Sequence, residues 1–256
     1  SSELPSSQSG ASGPPVMTAR HPNGADEALL RASSLWGLDS GSFMLLRDGQ
    51  NHVFSARRGA RHKTGGARVI VRVTDDSHRS AALIEGELSW LAYLSAHGCA
   101  VSSPLPASDD SLLTSLSAGG GQVHVVCFTY LDGSQVDPTD PRQWTPDLFA
   151  ELGRELGRIH AVSETFKPDP GSRRYAWDEE TEYRRLPDGF RGLVPDAVLD
   201  KIAGVFARLR AQTTQPGAFG LIHSDIYADN FFYGDGQVRL FDFDQACYGW
   251  YVYDLI

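Results

Sequence analysis

The sequence has few cysteines, no long apolar run and no excess of positive charge. Its cysteines, Cys99, Cys127 and Cys247, lie far apart, lack C-x-x-C spacing and have apolar neighbours, which predicts buried free thiols in a reducing compartment. No run approaches the roughly 18 apolar residues of a membrane-spanning helix. The N-terminus also lacks the basic and apolar regions of a signal peptide. We therefore predict a cytoplasmic protein that has no membrane partner.

The formal charge of −9 excludes nucleic acid as the expected main partner, because a nucleic-acid-binding surface is normally basic. The acidity leaves room for a cationic ligand. At 256 residues with 41% hydrophobic content, the chain is long enough for one large domain or two lobes with a substantial core.

The first half of the chain is rich in strand patterns. Residues 1–24 are Ser-, Pro- and Gly-rich and are predicted to be disordered, with a tag as one interpretation of the part before Met17. A short helix is expected over residues 26–37. A hairpin around Gly49 and Gln50, a third strand over residues 67–74, a helix over residues 77–96 closed by Gly98, and two further strands over residues 111–116 and 122–131 follow.

The second half is mostly helical. Residues 145–162 and 195–212 have helical periodicity, and a short hairpin turned by Gly234, Asp235 and Gly236 lies near the C-terminus. The change of pattern near residues 131–133 predicts an α+β, bilobal protein. Its N-lobe, residues 25–131, is an antiparallel β-sheet with one main helix. Its C-lobe, residues 132–256, is mostly helical.

The densest group of functional side chains lies in residues 221–244. His223, Asp225 and Asn230 fit the pattern H-x-D-x-x-x-x-N, and Asp242-Phe243-Asp244 comes at the end of a strand predicted over residues 237–243. Buried carboxylates beside apolar strands are costly unless they are paired or bound to metal. Phosphoryl transfer needs one carboxylate to orient a hydroxyl, and an amide oxygen with a second carboxylate to hold Mg²⁺. The spacing therefore favours a phosphotransferase site.

These two motifs resemble those of the aminoglycoside phosphotransferase and choline kinase-like family of small-molecule kinases, with type II homoserine kinases as relatives. The resemblance implies a protein-kinase-like fold, with ATP and Mg²⁺ as cofactors. It implies Asp225 as catalytic base, His223 as a residue that orders the loop, and Asn230 and Asp242 as Mg²⁺ ligands. Asp254 would brace the loop from behind. Because relatives generally continue with more helices after this point, we expect the catalytic, substrate-binding C-lobe to be truncated.

The same resemblance assigns nucleotide binding to the N-lobe. Arg72 stands where protein kinases have a phosphate-binding lysine, and its partner would be Glu87, with Glu85 as the alternative. No G-x-G-x-x-G is present in the sequence. The hairpin resembles a shorter nucleotide-covering loop, and residues 128–131 resemble the hinge that meets adenine. The implied nucleotide-binding residues further include Gly49, Gln50, Asn51, Phe128, Tyr130 and Leu131.

We therefore predict an ATP-dependent phosphotransferase that acts on a hydroxyl of a small molecule: an amino alcohol, a hydroxy amino acid or an aminoglycoside-like acceptor. The alternative is a catalytically inactive kinase-fold protein that serves as a nucleotide- or ligand-binding or regulatory module, which Arg72 in place of lysine favours. The expected partner is a small-molecule acceptor, and the sequence makes no prediction of oligomeric state.

Overall fold

The computed structural model describes residues 25–60, 65–118, 120–179, 190–212 and 214–255. The segment 1–24, which was predicted to be disordered, lies outside the described residues. None of the described helices is long and apolar enough to cross a membrane.

The N-terminal half is built on a five-stranded antiparallel sheet with the order β1-β2-β3-β5-β4. The hairpin predicted around Gly49 and Gln50 is formed by its first two strands. The central strand, β3, pairs with both β2 and β5 and places Arg72 opposite Val53 and Val126. The strands are β1 (Met44–Asp48), β2 (Asn51–Arg57), β3 (Arg68–Asp75), β4 (Leu113–Ala118) and β5 (Gly121–Thr129).

A helix covers each face of this sheet, because side chains of successive strand residues point to opposite faces. Helix α1 (Ala25–Trp36) packs with alternate residues of β2, β3 and β5 in one apolar core. Helix α2 (Ala81–Ala96) packs on the other face, in a core that continues into the C-terminal half. Gly98 adopts φ +79° just after α2, as expected for a residue that closes a helix.

The C-terminal half contains two long helices and several short strands. In α3 (Pro146–Ser163), the side chain of Thr145 accepts a hydrogen bond from Leu148 N at 3.2 Å and proline occupies the first turn, which fixes the start of the helix. The other elements are α4 (Asp196–Arg210), β6 (Ser134–Gln135), β7 (Phe219–Ile222), β8 (Phe231–Gly234), β9 (Gln237–Leu240) and β10 (Cys247–Trp250). β6, β8 and β9 form one sheet, and β7 pairs with β10 in another.

Two element boundaries differ from the prediction by more than two residues. Helix α2 begins at Ala81 and not at Ser77, because the Asp75 carboxylate accepts a hydrogen bond from Ser77 N at 2.8 Å and holds a turn there. The strand predicted through residue 243 ends at Leu240. Asp242 adopts left-handed backbone, φ 63°, and a 3₁₀ turn follows at Phe243–Gln245.

Candidate active site

The loop between β7 and β8 is held from behind by a buried carboxylate. Asp254 accepts hydrogen bonds from His223 N at 3.0 Å and from Ser224 N at 2.7 Å. Ser224 has φ 69°, which is unfavourable for a residue with a side chain. His160, from α3, lies with Nε2 at 2.7 Å from the same carboxylate. The bracing contact expected of Asp254 is therefore present, and it fixes a strained backbone.

The ring of His223 joins this loop to the end of β9. Its Nε2 donates to Phe241 O at 3.0 Å, and its Nδ1 accepts from Asp225 N at 3.3 Å. These two bonds assign the proton of the neutral ring to Nε2. The residue is completely buried. The ordering role predicted for His223 agrees with these contacts.

Asn230, the last residue of the H-x-D-x-x-x-x-N pattern, holds the side chain of Asp225 in place. Its Nδ2 donates to Asp225 Oδ2 at 2.8 Å and to Asp225 O at 3.0 Å, so that the amide fixes the carboxylate. Its Oδ1 is buried and has no hydrogen-bond partner among the described residues. An unsatisfied buried oxygen is costly unless a ligand meets it. Asn230 therefore has the oxygen that a hard cation would use.

Asp242 lies across a cavity from the strands of the N-terminal sheet. Its left-handed backbone follows directly on Phe241, whose N donates to Asn230 O at 3.0 Å. Burial raises the pKa of the Asp242 carboxyl, and the nearby Arg72 guanidinium opposes that rise. Its Oδ2 accepts a hydrogen bond from Arg47 Nη1 at 3.0 Å. A carboxylate destabilised by burial is a strong ligand for a cation that would neutralise it.

Arg72 and Glu87 form a buried, bidentate ion pair between β3 and α2. Arg72 Nη1 and Nη2 donate to Glu87 Oε1 at 2.8 Å and Oε2 at 2.7 Å. Burial alone would lower the pKa of Arg72, but the carboxylate of Glu87 raises it. Glu85, the alternative partner, is exposed. The predicted pairing with Glu87 is therefore confirmed, while a role in nucleotide binding stays a prediction.

A cavity of about 640 Å³ lies between these groups and the predicted hinge. The tip residues Gly49, Gln50 and Asn51 do not line it, and Asn51 Oδ1 instead accepts from Thr74 Oγ1 at 2.7 Å. Their placement over phosphates stays a prediction. The strands behind the tip reach the cavity instead. Among its lining residues are Leu46, Arg47, Val53, Arg72, Glu87, Phe128, Thr129, Tyr130, Leu131 and Asp242.

Several charged residues that support the site were not identified from the sequence. Asp244 lies with Oδ2 at 3.0 Å from His78 Nε2 and with Oδ1 at 3.4 Å from Arg79 Nε. Burial alone would raise the pKa of Asp244, but the hydrogen bond to His78 and the charges of Arg72 and Arg79 lower it. His78 and Arg79 follow an acidic turn just before α2, and this clustering of charges was the available signal.

A second supporting residue, Arg174, lies under α2. Its Nε donates to Ala246 O at 2.7 Å, Nη1 to Leu83 O at 3.0 Å and Nη2 to Asp244 O at 2.5 Å. The preceding residue, Arg173, passes so close to Gly86 that a Cβ there would collide with the Arg173 backbone. Arg174 therefore ties α2 to the segment that follows Asp242.

The acidic run of residues 178–182 is a weaker candidate for a ligand site. Asp178 Oδ2 accepts from Arg210 Nε at 2.6 Å, and Glu179 Oε2 accepts from Ala176 N at 3.0 Å. Both carboxylates thus have partners within the chain. Glu180 and Glu182 lie outside the described residues.

The chain is similar to known kinases over most of its length. Amicoumacin kinase of Bacillus subtilis (strain 168) is 28% identical over 235 residues, which cover 90% of this chain and 66% of that protein. Homoserine kinase of Rhizobium etli is 29% identical over 176 residues, which cover 66% of this chain and 50% of that protein. The chain therefore spans between half and about two thirds of the length of these relatives.

Solved structures have the same fold. The amicoumacin kinase hAmiN in complex with AMP-PNP, Ca²⁺ and Ami has a TM-score of 0.78 at 26% identity, with 90% of this chain and 66% of that chain covered. A microcompartment-associated aminopropanol kinase has a TM-score of 0.70 at 24% identity, with 90% and 72% covered. Both support the α+β, protein-kinase-like fold predicted from the sequence.

The model of the phosphotransferase enzyme family, APH, matches residues 51–256. The chain belongs to this family.

Proposed function

We propose that this chain carries an ATP-dependent phosphotransferase activity that moves the γ-phosphate of ATP to a hydroxyl of a small molecule. The observation that carries the proposal is the geometry of Asn230. Its Nδ2 donates to the carboxylate of Asp225, while its buried Oδ1 has no partner in the part of the chain that the structure describes. A single side chain thus orients a candidate base and offers an oxygen to a cation. Similarity to amicoumacin kinase and homoserine kinase supports the same function.

Asp225 is proposed as the general base. Asn230 fixes its Oδ2, which leaves the other carboxylate oxygen to accept the hydrogen bond of the acceptor hydroxyl and its proton during transfer. His223 and Asp254 hold the loop backbone in its strained conformation, so the carboxylate is positioned before the acceptor binds.

Asn230 Oδ1 and the carboxylate of Asp242 are proposed to hold a divalent cation, with Mg²⁺ as the expected ion. The described residues contain no group of three His, Cys, Asp or Glu side chains that could hold a metal by themselves. This suits Mg²⁺, which is commonly held by one or two carboxylates together with substrate phosphates. When bound, such an ion would neutralise negative charge on the phosphates of the nucleotide.

The nucleotide is proposed to occupy the 640 Å³ cavity, with its adenine at the hinge residues Phe128, Tyr130 and Leu131. The Arg72–Glu87 pair lines the same cavity and would position the phosphates. Gly49, Gln50 and Asn51 would cover them only if the hairpin moves inward, since they do not line the cavity here.

The acceptor is proposed to be a hydroxyl compound that also carries an amine. Homoserine and aminopropanol, which give two of the similar kinases their names, each carry a hydroxyl and an amine. The net charge of −9 is compatible with such a cationic acceptor.

A coupled assay of ADP release tests this function. The protein is incubated with Mg-ATP and homoserine, aminopropanol, choline or aminoglycosides, beside Asp225→Asn. Loss of the base should reduce the rate by about 100- to 10,000-fold. Asp235→Asn is the matched control, because it makes the same chemical change in a nearby turn whose left-handed backbone, φ 52°, asparagine tolerates. Equal rates for wild type and Asp225→Asn would refute the assignment.

The engaged guanidinium of Arg72 favours a second candidate, a nucleotide-binding module without catalysis. Both of its Nη groups donate to Glu87, and its buried Nε has no hydrogen-bond partner within the described ranges. If that module is the function, calorimetry would detect binding of AMP-PNP, while every acceptor would leave ADP release at the background rate.

A further inference from the structure

Arg47 reaches the cavity because of an irregularity in the edge strand. In the pairing of β1 with β2, Leu45 lies opposite Phe54, and Arg47 lies opposite Val53. Leu46 is therefore one extra residue, a β-bulge. Bulges change the direction in which side chains point. Both Leu46 and Arg47 line the cavity, although they are adjacent in a strand.

The guanidinium of Arg47 crosses the cavity to the candidate metal ligand. Its Nη1 donates to Asp242 Oδ2 at 3.0 Å, although the two residues are 195 positions apart in the sequence. The side chain of Arg47 is 62% exposed, and that of Asp242 is 26% exposed. An ion pair with one partner this exposed contributes little to stability. Arg47 can therefore leave Asp242 at low cost when a better partner arrives.

The other cavity arginines are engaged elsewhere. Arg72 is held by Glu87 through both Nη groups. Arg68 stacks on the ring of Tyr130, with its Cζ 3.9 Å from the ring centroid. Arg47 differs from both, because its partner, Asp242, is also the carboxylate that is proposed to bind the cation. A metal ion at Asp242 would leave the Arg47 guanidinium without that partner and beside the phosphates that the metal brings.

We propose that Arg47 is a nucleotide-binding residue that exchanges the Asp242 carboxylate for a phosphate group when the metal–nucleotide complex binds. The proposal rests on the proposed function, since it needs a nucleotide in this cavity. Before binding, Arg47 neutralises Asp242. After binding, the metal neutralises Asp242, and Arg47 donates hydrogen bonds to phosphate oxygens, for which a guanidinium is well suited.

The exchange predicts that the contribution of Arg47 depends on metal. Binding of AMP-PNP is measured by calorimetry at saturating Mg²⁺ and again in EDTA, for wild type, Arg47→Ala and Arg47→Lys. With Mg²⁺, Arg47→Ala should weaken binding about tenfold, which is the loss of roughly one charge-assisted hydrogen bond. In EDTA, Arg47 stays hydrogen-bonded to Asp242, so Arg47→Ala should weaken AMP-PNP binding by less than about threefold. Arg47→Lys keeps the positive charge without the planar guanidinium, so with Mg²⁺ its affinity should fall between those of wild type and Arg47→Ala.

Arg57→Ala is the matched control. Arg57 is an exposed arginine of the same hairpin, but unlike Arg47 it does not line the cavity. It should bind AMP-PNP as wild type does, and the melting temperatures of all variants should agree. Unchanged binding by Arg47→Ala with Mg²⁺, or an equal loss with and without metal, would overturn the exchange while leaving the phosphotransferase proposal intact. If wild type itself bound no AMP-PNP, both proposals would fall.

Discussion

Removal of the Glu87 carboxylate should strongly destabilise the protein. In Glu87→Ala, the guanidinium of Arg72 keeps its place under α2 but loses two hydrogen bonds, of 2.8 and 2.7 Å. The two side chains are only 4% and 1% exposed, so water cannot replace the carboxylate without local opening. The variant therefore leaves an uncompensated charge in the core.

The size of the effect follows from this burial. Leaving one member of a buried ion pair alone costs about 3–5 kcal/mol. Two charge-assisted hydrogen bonds at about 1.5–3 kcal/mol each give about 3–6 kcal/mol, which overlaps that range. Since a typical protein is stable by only about 5–15 kcal/mol, this is a large share of the total. For a chain of this length the melting temperature should fall by roughly 6–20 °C.

Urea unfolding followed by circular dichroism measures the loss, and a double variant tests its cause. Arg72→Met with Glu87→Leu removes both charges, so it should recover most of the stability that Glu87→Ala loses. AMP-PNP affinity should remain low in both, because the guanidinium is either displaced or missing. A loss below about 1 kcal/mol in Glu87→Ala, or a double variant less stable than the single one, would refute this reasoning.

Three further predictions concern the surroundings of the site. His160→Phe removes the donor to Asp254 and should lower kcat about tenfold with little change in KM, whereas His160→Gln should restore part of it. Gly86→Ala should lower the free energy of unfolding in urea by about 1–3 kcal/mol, because the new Cβ would collide with the Arg173 backbone. The control Gly153→Ala, whose Cβ would meet no described atom within 4 Å, should instead stabilise α3. The lowered pKa of Asp244 contributes stability that is present above the unfolded pKa of about 3.9 and is lost as pH falls through the native pKa. The difference in unfolding free energy between wild type and Asp244→Asn should therefore shrink below about pH 4, and a constant difference would contradict it.

Local patterns in the sequence were sufficient to predict most of the fold. Alternation around Gly49 and Gln50 predicted the first hairpin, and helical spacing predicted α2 and α3. The pairing of Arg72 with Glu87 was also predicted, from the resemblance to kinases in which a strand residue pairs with a glutamate of the following helix. These features depend on short-range periodicity or on a motif with fixed spacing.

Features that depend on long-range packing were not predicted. The bulge at Leu46 has no turn residue to reveal it, so the contact between Arg47 and Asp242 could not be foreseen. The pairing of β7 with β10 joins strands that are separated in the sequence by residues 223–246. Arg174 lies in a polar segment with no periodicity, yet it donates to three backbone carbonyls. Such contacts are set by the completed fold and not by neighbouring residues.

The close contact of residues 173–174 with α2 has a consequence for inhibitor design. A compound that acts by forcing α2 outward would have to break the Arg174 hydrogen bonds to Leu83 O and Ala246 O and move the backbone packed on Gly86. A compound that fills the 640 Å³ cavity would leave these contacts in place and would instead displace the exposed Arg47–Asp242 pair that crosses it. Such a compound would also contact the bulged edge strand, where Leu46 and Arg47 line one side of the cavity.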